Sequence, residues 1–140
     1  MAGQAKVAID SSVAVKWFSE EEKTKEAIAL RDDHVKGTLT ILTTPLLACE
    51  VANALRYKPG YDKNKLAEAT NYLFKLHLEE AAIDWQLLSR SGEIAFRGGV
   101  TIYDAIPVAL ATLKKVKCVT GDEATQYAKL KPKGYPVELL

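Results

Sequence analysis

The sequence predicts an α/β fold, a doubly wound and mostly parallel sheet of about five strands flanked by helices. Two observations lead there. Short β-prone runs alternate with longer, helix-spaced segments along the whole chain of 140 residues. The alternation then favours parallel pairing through right-handed crossovers, with helices covering both faces. A composition that is 48% hydrophobic and 26% charged excludes disorder, and the length fits one domain over residues 1–140.

Each element has a local reason. Lys6 to Ile9 (KVAI) is a short strand ending at Asp10. Ser12 to Phe18 and Glu21 to Lys36 carry helical spacing, and Gly37 is placed to cap the second. Thr38 to Thr43 is rich in β-branched residues and reads as the second strand. Pro45 suits the first turn of a helix to Tyr57, stopped by Lys58-Pro59-Gly60. Asp62 opens a helix to Leu76, and Leu78 to Ile83 is a weaker strand. Trp85 to Phe96 forms a helix ending at Gly98-Gly99, and Asp104 to Lys115 forms another that tolerates an early Pro107. Lys117 to Thr120 is the fourth strand, Glu123 to Leu130 a short helix, and Pro136 to Leu139 the last strand.

Charge and cysteine usage narrow the function. With 19 basic and 18 acidic residues the net charge is +1, so contact with nucleic acid must come from local patches. Cys49 and Cys118 each sit in an apolar stretch, and with only His34 and His77 present zinc-type ligand spacing is absent. Two buried free thiols point to a reducing compartment, with a single disulfide as the alternative. The start MAGQAKVAID has no signal-peptide pattern, and no run of about 18 apolar residues suggests a membrane span. A cytoplasmic home is expected.

The chemistry lies in where the acids fall. Ligands of open parallel sheets bind beyond the carboxyl ends of strands, where strand order reverses. Asp10 follows the first strand and Asp122 follows the fourth by one glycine, so adjacent strands would bring them face to face. Asp104 opens the helix leading into the fourth strand. Capping of helix N-termini is the competing reading for all three, and both can hold at once. Glu50 shares a helical stripe with Leu46, Leu47, Val51, Ala54 and Leu55, an apolar face where a carboxylate needs a partner. A salt bridge to Arg56 or Lys58, or a position at the stripe's rim, is the alternative to a metal. Acids crowded together require a cation or a proton, and oxygen-only ligation suits Mg²⁺ or Mn²⁺. Such a site can hydrolyse a phosphodiester.

Asp10-Ser11-Ser12-Val13, Cys49-Glu50-Val51-Ala52-Asn53-Ala54-Leu55, Tyr103-Asp104-Ala105 and Thr120-Gly121-Asp122 occur in an order and spacing that resembles the PIN-domain nucleases. The resemblance spans the chain and is to the single-domain VapC-type toxins. It implies a Mg²⁺- or Mn²⁺-dependent endoribonuclease with Asp10, Glu50, Asp104 and Asp122 as the metal-site acids. Ser11 and Thr120 would support them. It also implies an RNA substrate, a homodimer and silencing by a VapB-like antitoxin. Ile106-Pro107 departs mildly from the family pattern after Asp104.

Further stretches carry two readings each. Arg56 to Lys65 interleaves basic and aromatic residues, so Arg56 and Lys58 can grip RNA phosphates or belong to a solvated loop. Trp17 and Phe18 fit either the core or a groove for a partner helix. A haloacid-dehalogenase-like phosphohydrolase wants an aspartate where Ser12 stands. A non-catalytic PIN-like binding module typically lacks one or more of the acids retained here.

Overall fold

A computed structural model describes residues 5–140. Strands β1 (Ala5–Ile9), β2 (Leu39–Thr43), β3 (Glu79–Glu80), β4 (Lys117–Thr120) and β5 (Val137–Leu139) form one sheet in the order β3-β2-β1-β4-β5. All its pairings are parallel. The chain therefore winds outward from β1 in one direction and then the other, as expected for a doubly wound fold. The reversal point lies between β1 and β4, where Ala8 pairs with Cys118 and Ile9 with Val119.

Period-2 alternation along the central strands feeds two separate cores. Ala8, Leu42, Cys118 and Val137 face α5 (Trp85–Gly98), α6 (Ile102–Lys114) and α7 (Ala128–Leu130). Ile9 and Ile41 face α1 (Ser11–Val15), α2 (Thr24–Lys36), α3 (Leu46–Arg56) and α4 (Lys63–Lys75). On α3, Leu47, Val51 and Leu55 recur every four residues and are buried, each contributing roughly 1.5–3 kcal/mol of apolar burial. Cys49 lies two positions from Leu47, on the opposite side of that helix, and is exposed. The expectation of two buried thiols thus holds for Cys118 only, and both cysteines are free.

Several boundaries differ from the sequence reading, each for a local reason. α1 stops at Val15, and α2 begins at Thr24 after Lys23 adopts a left-handed conformation with φ of 68°. The acids at 20–22 occupy the turn between them, where Thr24 Oγ1 accepts the Glu21 N–H at 2.9 Å. Gly37 caps α2 with φ of 83°. β3 shrinks to two glutamates pairing with Leu42 and Thr43. The segment after β4 is not a plain α-helix: Glu123–Tyr127 forms a π-helical turn that leads into α7. Among the described residues no single helix is long and apolar enough to cross a membrane.

Candidate active site

The carboxyl ends of β1 and β4 supply one side of the site. Asp10 ends β1, its own N–H reaching Val119 O of β4 at 3.4 Å. It stands at the N-cap position of α1 but makes no side-chain cap bond. Its carboxylate instead accepts the Ser12 hydroxyl on Oδ1 and the Thr120 hydroxyl on Oδ2, the latter at 3.0 Å. Thr120 is fully buried and its Oγ1 also accepts the Asp122 N–H at 2.9 Å. Ser12 Oγ accepts the Gly121 N–H at 2.8 Å. A hydroxyl pair thus ties the β1 acid to the loop after β4. Asp122 does serve as a cap, its Oδ1 accepting the Thr125 N–H at 3.1 Å.

Two helices supply the other side. Glu50 sits half-buried on α3, and together with Asp10 it lines a narrow cleft whose walls include Thr44, Ile106 and Pro107. Neither Arg56 nor Lys58 pairs with it: Lys58 Nζ lies 2.9 Å from Glu21, and the Arg56 guanidinium stacks 4.9 Å from the Tyr57 ring centroid. Asp104 lies in the first turn of α6, where Thr101 is the cap and accepts the Asp104 N–H at 3.0 Å. The capping reading of Asp104 therefore fails: its carboxylate feels the Thr101 hydroxyl and does not cap the helix.

The acids share one electrostatic field. Burial, followed by the charges of Asp122 and Asp104, raises the Asp10 carboxyl, while the Ser12 and Thr120 hydroxyls pull it down; the net result is about 6. Burial, then the charges of Asp10 and Asp104, push Glu50 up to about 7. Asp104 is raised by burial and by Asp122, against the lowering effects of Thr101 and Lys129. None of the four acids forms a salt bridge among the described residues. No group of three or more His, Cys, Asp or Glu among those residues is closed enough to hold an ion. Asp10 feels the charges of Asp122 and Asp104, and Glu50 those of Asp10 and Asp104. Their donor chemistry is oxygen-only and anionic, without imidazole or thiolate, which fits a hard divalent cation of the Mg²⁺ or Mn²⁺ type.

The PIN domain family matches residues 7–130. The chain belongs to the PIN-domain family. Solved structures repeat the fold at low identity. A protein from Pyrobaculum aerophilum, PAE2754, is 24% identical with a TM-score of 0.62, over 91% of this chain and 87% of that one. Mycobacterium tuberculosis VapC20, described as a sarcin-ricin loop cleaving toxin, is 13% identical with a TM-score of 0.67, over 87% and 94%. VapBC2 of Rickettsia felis, solved with a promoter DNA fragment, is 14% identical with a TM-score of 0.63, over 96% and 98%. No curated protein matches the chain.

Within this PIN domain the four acids expected from the sequence share one electrostatic neighbourhood, and the residues around them differ in part from those expected. Ser12, not Ser11, touches Asp10. Thr101 stands three residues before Asp104, a T-x-x-D spacing that signals a helix cap. Gln126 reaches the backbone of Asp104 from the π-helical turn, and no local pattern announces it. Trp17 satisfies the core reading and the groove reading together. It is 7% exposed and donates its indole N–H to Ala27 O at 2.8 Å, yet its edge lines a groove with Phe18, Tyr61 and Tyr72.

Proposed function

We propose that this PIN domain is a Mg²⁺- or Mn²⁺-dependent endoribonuclease, the toxin of a VapBC-type pair, with Asp10, Glu50, Asp104 and Asp122 as its metal-site acids. The observation that carries the reading is the mutual repulsion of carboxylates that form no salt bridge among the described residues, Lys129 acting on Asp104 only through its charge. That arrangement opposes folding unless a bound cation or protons compensate it. When bound, the cation supplies Lewis-acid stabilisation of the charge that develops on the phosphoryl group. Asp10 is held in one orientation by two hydroxyls, so it enters the site already aimed. Glu50, half-buried and in no salt bridge among the described residues, would offer its carboxylate to the same cation. Thr120 and Ser12 orient Asp10 and do not meet substrate in this scheme.

The partner reading rests on the groove between α2 and α4. Its volume is about 400 Å³, and Trp17, Phe18, Arg31, Tyr61, Lys65 and Tyr72 line it. An amphipathic segment of a VapB-like antitoxin would lie there and extend an arginine or lysine toward the acids. Homodimerisation and a role for Arg56 and Lys58 at RNA phosphates belong to the same proposal.

Cleavage of RNA by the purified chain, stimulated by Mn²⁺, abolished by chelation and absent in Asp104→Asn, is the expected result. RNA binding without cleavage in any divalent metal would favour a PIN-like binding module instead. That second reading is favoured by the lack, among the described residues, of a closed group of three or more such side chains.

A further inference from the structure

Gln126 is fully buried, and its amide Nε2 donates to the backbone carbonyl of Asp104 at 2.6 Å. The other amide atom, Oε1, is buried with no hydrogen-bond partner among the described residues. Exchanging the two would set an acceptor against the Asp104 carbonyl, so the hydrogen bond itself fixes the amide orientation. A buried orphan acceptor loses its water without replacement, a penalty that an apolar side chain of the same size would avoid. Gln supplies the one thing such a chain lacks, a donor.

The donor goes to a turn that lacks one of its own bonds. Pro107 lies inside α6, and having no N–H it leaves the Tyr103 carbonyl, four residues back, without its helical partner. Asp104 is in that same turn. Side chains hold both of its peptide groups: Thr101 takes the N–H at 3.0 Å and Gln126 grips the C=O. The bond from Gln126 starts in the turn that Asp122 caps. There Asp122 O accepts the Tyr127 N–H at 3.1 Å, five residues on, while Asp122 Oδ1 accepts the Thr125 N–H. The extra residue of a π-turn rotates the downstream side chains relative to an α-helix, and such turns recur at functional sites.

We infer that Gln126 is a positioning residue that clamps α6 to the π-helical turn and so fixes the spacing of the Asp104 and Asp122 carboxylates for a divalent cation. The inference rests on the carboxylate-site reading above and assigns no contact between Gln126 and substrate or metal. Outer partners of metal ligands typically set 10–100-fold in affinity.

The test uses the full chain and two readouts: Mn²⁺ affinity by titration calorimetry, and the melting temperature without metal. Gln126→Met keeps the length but neither donates nor orphans an acceptor. It should weaken Mn²⁺ binding about tenfold while melting without metal at or above the wild-type temperature. Gln126→Asn keeps the amide one methylene too short and should weaken Mn²⁺ binding likewise. Wild-type affinity in both variants, or a failure of both to fold, overturns the clamp. If wild type binds Mn²⁺ and Asp104→Asn does not, a failure of the clamp leaves the site reading standing. No Mn²⁺ binding by the wild type overturns both.

Discussion

The two sides of the acidic site are built differently. At the strand ends, Asp10, Ser12, Thr120 and Asp122 form a closed lattice in which every hydroxyl has a partner and Thr120 is fully buried. On the helical side, Glu50 makes no hydrogen bond or ion pair among the described residues, and Asp104 is held by its backbone. The strand-end acids are set by folding. The helix-borne acids are carried on frames that hold their main chains and leave their carboxylates exposed to one another's charge. Preorganisation and responsiveness are divided between the sheet and the helices.

Three substitutions would break or sharpen that contrast. The largest effect is expected for Asp104→Asn on the responsive side. RNA cleavage should fall by at least about a hundredfold, since loss of a ligand should equal or exceed loss of an outer partner. The metal-free melting temperature should stay level or rise, because one like charge is removed. Cleavage at the wild-type rate, with the same Mn²⁺-induced rise in melting temperature, would remove Asp104 from the site.

Thr120→Val on the preorganised side should behave in the opposite way. It deletes the donor to Asp10 and leaves the Asp122 N–H unsatisfied, so a stability loss of about 2–3 kcal/mol is expected by denaturant titration. A loss below roughly 0.5 kcal/mol would mean that the lattice is not rigid.

The smallest effect concerns pH and Glu50. Its folded-state carboxyl titrates near 7, above the ordinary 4.5, so the native chain holds a proton that the unfolded chain releases. The associated stability is present below about 4.5 and is lost as pH rises through about 7. Asp10 adds to the same slope, with its carboxyl near 6 in place of 3.8. Metal-free melts from pH 5 to 8 should therefore decline in the wild type and decline less in Glu50→Gln. Parallel curves for the two proteins would sink the assignment of a raised Glu50.

How far the sequence spoke for itself tracks the same division. β4 was legible to the residue, because KCVT is a short β-prone run closed by Gly121. The strand-end acids were legible too, since a loop acid directly after a strand has one place to go in a parallel sheet. Glu50 was legible from its stripe, with Leu47, Val51 and Leu55 marking the buried face beside it. The reading of β3 was too long, because only tertiary pairing decides how much of an edge strand is used. Gln126 was invisible. Its partner lies across the fold in α6, and a π-helical turn has no spacing that a one-dimensional pattern can display.

The sheet's borders carry a separate consequence. β3 offers two residues and β5 three, and ion pairs straddle the sheet near both, Lys6 with Glu79 at 3.2 Å and Lys117 with Glu138 at 3.0 Å. An outer strand needs several unpaired backbone groups in a row to template another chain, and charged side chains beside it discourage that pairing. Lateral growth of this sheet into fibrils or strand-added complexes is thus disfavoured at both edges.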